Sequence, residues 1–316
     1  MDFFEDELVR RNYDWKDVIR SVLFTGHEPL FSSIIAGRKS MIRYTLLELR
    51  LTINHTVGHP LIHLAYAFEF SSREIGMEAL ALTAVSYSDI HKYVDDPSYS
   101  LIEPPYKGDS LLDILNRVRS DQRFGNLFNG PGVGNIHAVF RAREKPLLEH
   151  WNAWDIAGLC RLGNDAALSQ FRESQELAVA LLLATARSNH HKKHFDFVLV
   201  HILTTSHAVR VLLPILPDKF QVSLLKQWWL FCLAGYIAQL RPDIDLDQIR
   251  SYELDGRDWD WAAGKAVKGA HNMDAHYVKA IRALKEVSRT WGDPDNFYLK
   301  AAVKFAYEFD GWGGFA

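Results

Sequence analysis

Five side chains could carry metal and redox chemistry: His59, His63, His201, His276 and Lys279. The first two sit in Gly58–His63 (GHPLIH), where Pro60 suits the first turn of a helix and the four-residue spacing puts both imidazoles on one side of it. Two imidazoles so placed can share a metal ion. The acidic residue that follows the first histidine in the HExxH zincins is absent here, so metalloprotease chemistry is not supported. His201 lies in the apolar run Asp196–Leu203 (DFVLVHIL), where burial favours the neutral ring that binds a metal or accepts a proton. His207, six residues on, faces elsewhere on an ideal helix and is the weaker candidate. His276 and Lys279 share a face of Asp274–Leu284. An ammonium cannot ligate a metal. A buried lysine with a depressed pKa is neutral, however, and a neutral amine takes up carbon dioxide to give a carbamate with anionic oxygens. Spacing alone leaves open, for each, a hydrogen-bonded core histidine or a solvated lysine.

Helices must position these residues. Apolar side chains return every three or four positions over Glu74–Val94, Ser110–Arg119, Asp165–Arg187, Phe195–Leu213, Phe220–Gln239, Asp274–Thr290 and Asp295–Phe309. Prolines and glycines fall between these windows, where a missing N–H does least harm. The expected fold is therefore all-α, a single multi-helix domain over residues 1–316 with a buried, histidine-lined pocket. The stretch from Asn126 to Asn135, with three glycines, reads as a loop but lacks the spacing and strand–helix context of a dinucleotide site. One segment is discordant: Leu47–Asn54 (LELRLTIN) alternates with the period of a half-buried strand and has no evident partner.

Composition narrows the function. With 316 residues, 48% apolar and 24% charged, the chain has the make-up of a folded protein. A formal charge of -3 leaves no basic excess to neutralise a phosphate backbone, so nucleic acid is not an expected partner. The longest apolar stretches, near Leu177–Ala186 and Trp228–Ala238, are short of the ~20 residues a spanning helix needs, so no membrane partner is expected either. Two cysteines, Cys160 and Cys232, and an acidic N-terminus without a signal pattern fit a reducing, cytoplasmic location.

Taken together, Gly58–Glu69 (GHPLIHLAYAFE) with Glu78–Leu82, Asp196–His201 and Asp274–Leu284 resemble the questin oxidase-like proteins, the AflY-type oxidoreductases of fungal aromatic polyketide pathways. The resemblance runs nearly the whole chain. It implies an oxidoreductase that opens the ring of an anthraquinone-type polyketide, described either as Baeyer–Villiger oxidation with NADPH or as cleavage by dioxygen at a non-haem iron. By that resemblance His59, His63, His201 and His276 are iron ligands and Lys279 is the carboxylated lysine. Relatives carry a further N-terminal region with a histidine-rich helix of the HNHxxHH kind, and they run from the equivalent of Ala36–Gly37 almost directly into the GHPLIH motif. Arg38–Val57 is then an insertion, expected to be retained intron sequence or a similar gene-structure artefact lying outside the helical core. The departures leave two alternatives: an NADPH-dependent Baeyer–Villiger oxidase without metal, or a non-catalytic truncated homologue that binds an aromatic ligand.

Overall fold

Helix follows from the sequence wherever an apolar stripe meets a local cap, and the computed structural model, which describes residues 2–25, 57–85, 92–156, 165–185 and 193–315, is all-α. The chain divides into two compact units, one comprising Met1–Pro105 and Ala208–Phe231, the other Tyr106–His207 and Cys232–Ala316.

In the first unit, α1 (Asp2–Arg10) and α2 (Trp15–Arg20) are followed by α3 (His59–Glu69), α4 (Arg73–Val85) and the short α5 (Lys92–Asp95). The Asp14 carboxylate accepts from the backbone N–H groups of Lys16 and Asp17 and so starts α2. Gly58, at φ 81°, makes the left-handed turn into α3, and α3 and α4 pack together. Of the expected window Glu74–Val94, α4 covers the part up to Val85 and α5 opens at Lys92, residues 86–91 lying outside the described residues.

The second unit holds α6 (Leu111–Ser120), α7 (Asn135–Asn152), α8 (Asp165–Leu183), β1 (Lys193–Asp196) and α9 (Phe197–Leu212). It continues with the end of α10 (Asp218–Ala238), then α11 (Asp247–Arg250), α12 (Trp259–Lys268), α13 (Ala275–Trp291), α14 (Phe297–Glu308) and β2 (Phe309–Gly313). Residues from Ala208 in α9 and up to Phe231 in α10 belong to the first unit. Helix α7 escapes the periodicity reading because Pro146 lies inside it and its backbone breaks at Arg143 (φ -139°), which resets the phase of its apolar face. The apolar stretches Leu177–Ala184 and Trp228–Ala238 are buried helix, and no described helix is long and apolar enough to cross a membrane.

One departure from pure helix matters for the site. β1 and β2 form a two-stranded parallel sheet, pairing Lys193 with Phe309, Phe195 with Trp312 and Asp196 with Gly313. Neither strand alternates clearly in sequence; each is short, and their pairing joins residues more than a hundred positions apart. The discordant segment Leu47–Asn54 and the insertion as far as Thr56 lie outside the described residues, while Val57 is buried.

Candidate metal centre

Helix α9 begins where Asp196 ends β1, the Oδ1 atom of Asp196 accepting from the N–H groups of Val198 and Leu199 at 2.8 and 3.0 Å. One turn in, His201 is fully buried between apolar neighbours. Its Nδ1 lies 2.6 Å from the carbonyl oxygen of Phe197. A carbonyl only accepts, so Nδ1 carries a proton, and in the neutral ring Nε2 then keeps the lone pair that a metal ligand requires.

His276 stands in the first turn of α13, half-buried, with its ring centroid 4.8 Å from that of His201 and the two planes at 56°. Both rings pack on Phe197, at 4.6 and 4.8 Å. Burial, helped by the nearby Lys279 charge and opposed by Asp274, lowers the His276 pKa to about 4. The imidazole is therefore neutral near pH 7. Imidazoles bound to one ion at ~2.1 Å, with ligand angles of 90–109°, have centroids roughly 4.6–5.3 Å apart. The observed 4.8 Å fits, and the ligand nitrogens of the pair lie within 4.8 Å of one another. Lys279 follows one turn along α13, and burial lowers its pKa against the opposing pull of Asp274. The donor set suits a borderline metal such as iron, and the downward shift of the lysine pKa favours the neutral amine from which a carbamate forms.

In the first unit His59 opens α3 and His63 lies one turn on, with ring centroids 6.2 Å apart. That exceeds the range for two rings on a single ion, and His63 Nδ1 instead faces the Glu78 carboxylate of α4 at 3.4 Å. The structure thus brings together His201, His276 and Lys279 in one unit, and His59, His63 and Glu78 in the other.

The surroundings of His276 include residues that sequence reading missed. Asp274 caps α13, its Oδ1 accepting from the N–H groups of His276 and Tyr277 at 2.8 and 3.1 Å, and its Oδ2 accepts from the Trp312 indole N–H at 2.7 Å. Trp312, Phe197 and Phe315 complete an aromatic wall, with Phe197 and Phe315 centroids 4.9 Å apart. The cap was legible as an aspartate before a helix; the tryptophan contact was not.

The chain matches a profile of the questin oxidase-like family over residues 1–284. It belongs to that family. Among curated proteins it is similar to a Baeyer–Villiger oxidase of Pestalotiopsis microspora, 25% identical over 298 residues that make up 90% of this chain and 61% of the relative. It is similar also to the questin oxidases of Aspergillus terreus, 24% identical over 292 residues (90% and 59%), and Aspergillus fumigatus, 28% identical over 240 residues (72% and 52%). The chain thus spans between about half and three-fifths of these questin oxidase-like relatives.

Two further features of this family member lie apart from the histidine pair. Tyr106 donates to His150 Nδ1 (2.5 Å), whose Nε2–H donates to Asp121 (2.9 Å), and Arg123 bridges Asp121 to Glu149. Burial lowers the His150 pKa against the pull of Asp121. A cavity of about 490 Å³ lies between α8 and the start of α14, lined among others by Arg172, Glu173, Arg250 and Tyr298. None of His201, His276 and Lys279 lines it.

Proposed function

We propose that this chain is an oxidoreductase that opens the ring of an anthraquinone-type aromatic polyketide with dioxygen at a non-haem iron. His201 and His276 are assigned as imidazole ligands and Lys279, as its carbamate, as the anionic one. The observation that carries the reading is the His201–His276 pair: two imidazole rings at ligand separation, one of them with its Nδ1 proton held by the Phe197 carbonyl. Bound there, ferrous iron supplies the activation of dioxygen that ring cleavage requires. The chain supplies the rest. The Lys279 amine, whose protonated form burial disfavours, adds in its neutral form to carbon dioxide with loss of one proton to give the carbamate. The aromatic wall of Phe197, Trp312 and Phe315 offers flat faces to a fused-ring substrate and excludes water from the imidazoles.

The test is the iron content of the purified protein, prepared with and without bicarbonate. The expected result is about one iron per chain, lost in His201→Ala and in Lys279→Ala and partly regained in Lys279→Glu, which restores a carboxylate. Equal iron in wild type and Lys279→Ala refutes the carbamate; no iron in any preparation refutes the centre.

The relatives named as Baeyer–Villiger oxidases favour a second reading, oxidation with NADPH and no bound metal. Substrate-dependent NADPH consumption by chelator-treated protein would establish it, and absence of that consumption would remove it.

A further inference from the structure

We infer that Trp312, in the C-terminal strand and beyond the part of the chain that the family profile matches, is a positioning residue for His276, acting through Asp274. The inference rests on the metal reading above and adds to it a residue of this chain.

The helices that carry His201 and His276 start at the same place. β1 ends at Asp196, the residue that caps α9, and is paired with β2, whose Trp312 reaches the residue that caps α13. Asp274 makes no hydrogen bond to the His276 ring through Oδ1, which is 3.9 Å from Nδ1. It acts through the backbone. Oδ1 holds the N–H groups of His276 and Tyr277, fixing the first turn and with it the Cα–Cβ direction of His276. A carboxylate held at one oxygen still swings about its Cβ–Cγ bond; the 2.7 Å bond from the indole N–H to Oδ2 removes that freedom. The Trp312 ring is itself seated against Phe309, with centroids 4.8 Å apart, and against Phe305 and Phe197. The chain of contacts runs strand, indole, carboxylate, helix turn, imidazole.

Groups that orient a ligand from outside the metal's own sphere commonly change metal affinity 10–100-fold when lost. The experiment measures the dissociation constant and visible absorption of cobalt(II), as a stand-in for iron, on metal-free full-length protein. Variants are Trp312→Phe, Asp274→Asn and the pair. Trp312→Phe keeps an aromatic ring and loses the donor. Asp274→Asn keeps a good helix cap, since one amide oxygen serves the backbone, but turns an N–H toward the indole where the bond requires an acceptor. The expected outcome is cobalt binding at least tenfold weaker with an altered absorption band in each single variant, and a pair no weaker than either. A merely structural cap would leave Asp274→Asn at wild-type affinity, which overturns the inference, as does wild-type affinity in Trp312→Phe or a loss in the pair equal to the product of the single losses. A wild type that binds no cobalt overturns the metal reading itself. Should Trp312→Phe not fold, Asp274→Asn alone decides.

Discussion

Replacing Asp196 by asparagine is expected to stabilise the protein at neutral pH, although the residue caps the helix that carries His201. Burial raises the Asp196 pKa to about 6 from an ordinary 3.8, only partly offset by the Leu199 and Val198 N–H bonds. A carboxyl whose pKa is raised on folding contributes fully below its unfolded pKa, and that contribution is lost as pH rises through the folded pKa. With those two values, ionisation weakens folding by about 1 kcal/mol at pH 4.5 and about 3 kcal/mol at pH 7. Asparagine does not ionise and its amide oxygen accepts from the same two N–H groups, so the helix start survives. The variant gives up the favourable placement of a negative charge at a helix N-terminus, about 0.5–1 kcal/mol. The net gain is about 2 kcal/mol at pH 7, or about 3 °C in melting temperature for a chain of this length, and about 1 kcal/mol at pH 4.5, where the folded carboxyl is protonated and has no charge to give up. Thermal and urea denaturation of both proteins at the two pH values measure it. A variant less stable than wild type at pH 7, or a difference unchanged between pH 7 and 4.5, would show that the carboxylate is stabilised where it sits and would refute the reasoning.

Other substitutions probe the frame around the site. Arg241 donates to the carbonyl oxygens of Val118, Arg119, Asp121 and Phe124 at 2.9–3.2 Å, closing the C-terminal end of α6. Arg241→Met should cost about 2–4 kcal/mol, read as a lower melting temperature; a loss below 1 kcal/mol would mean that water replaces the guanidinium. A Cβ at Gly235 in α10 would stand 3.0 Å from Val198 Cγ1 and 3.2 Å from Ile202 Cδ1, on either side of His201 along α9. Gly235→Ala should therefore destabilise by about 1–3 kcal/mol and lower iron content, and an unchanged iron content would show that α9 shifts without moving its histidine. Tyr106→Phe leaves His150 Nδ1 without its 2.5 Å donor and is expected to cost about 1–2 kcal/mol in urea denaturation, with iron content unchanged; loss of iron would tie this network to the centre.

The sequence by itself determined the fold class, because α8, α9, α10, α13 and α14 each announce themselves by an apolar stripe that must be buried. It also singled out His59, His63, His201, His276 and Lys279, whose types and neighbours are local properties, and its motifs carried the family. Local signals fail where a property arises between distant residues. The pairing of His201 with His276 across 75 positions, the β1–β2 sheet and the bond from Trp312 to Asp274 are set by packing between segments, and no period or cap in either segment encodes its partner. Pro146 concealed α7 because it breaks the local rule by which helices are recognised, while the surrounding core holds the kinked helix in place. Protonation follows the same division. A histidine's ordinary pKa belongs to its residue type, whereas the neutrality of His276 and the proton on His201 Nδ1 come from burial and from the Phe197 carbonyl, which only the folded chain supplies.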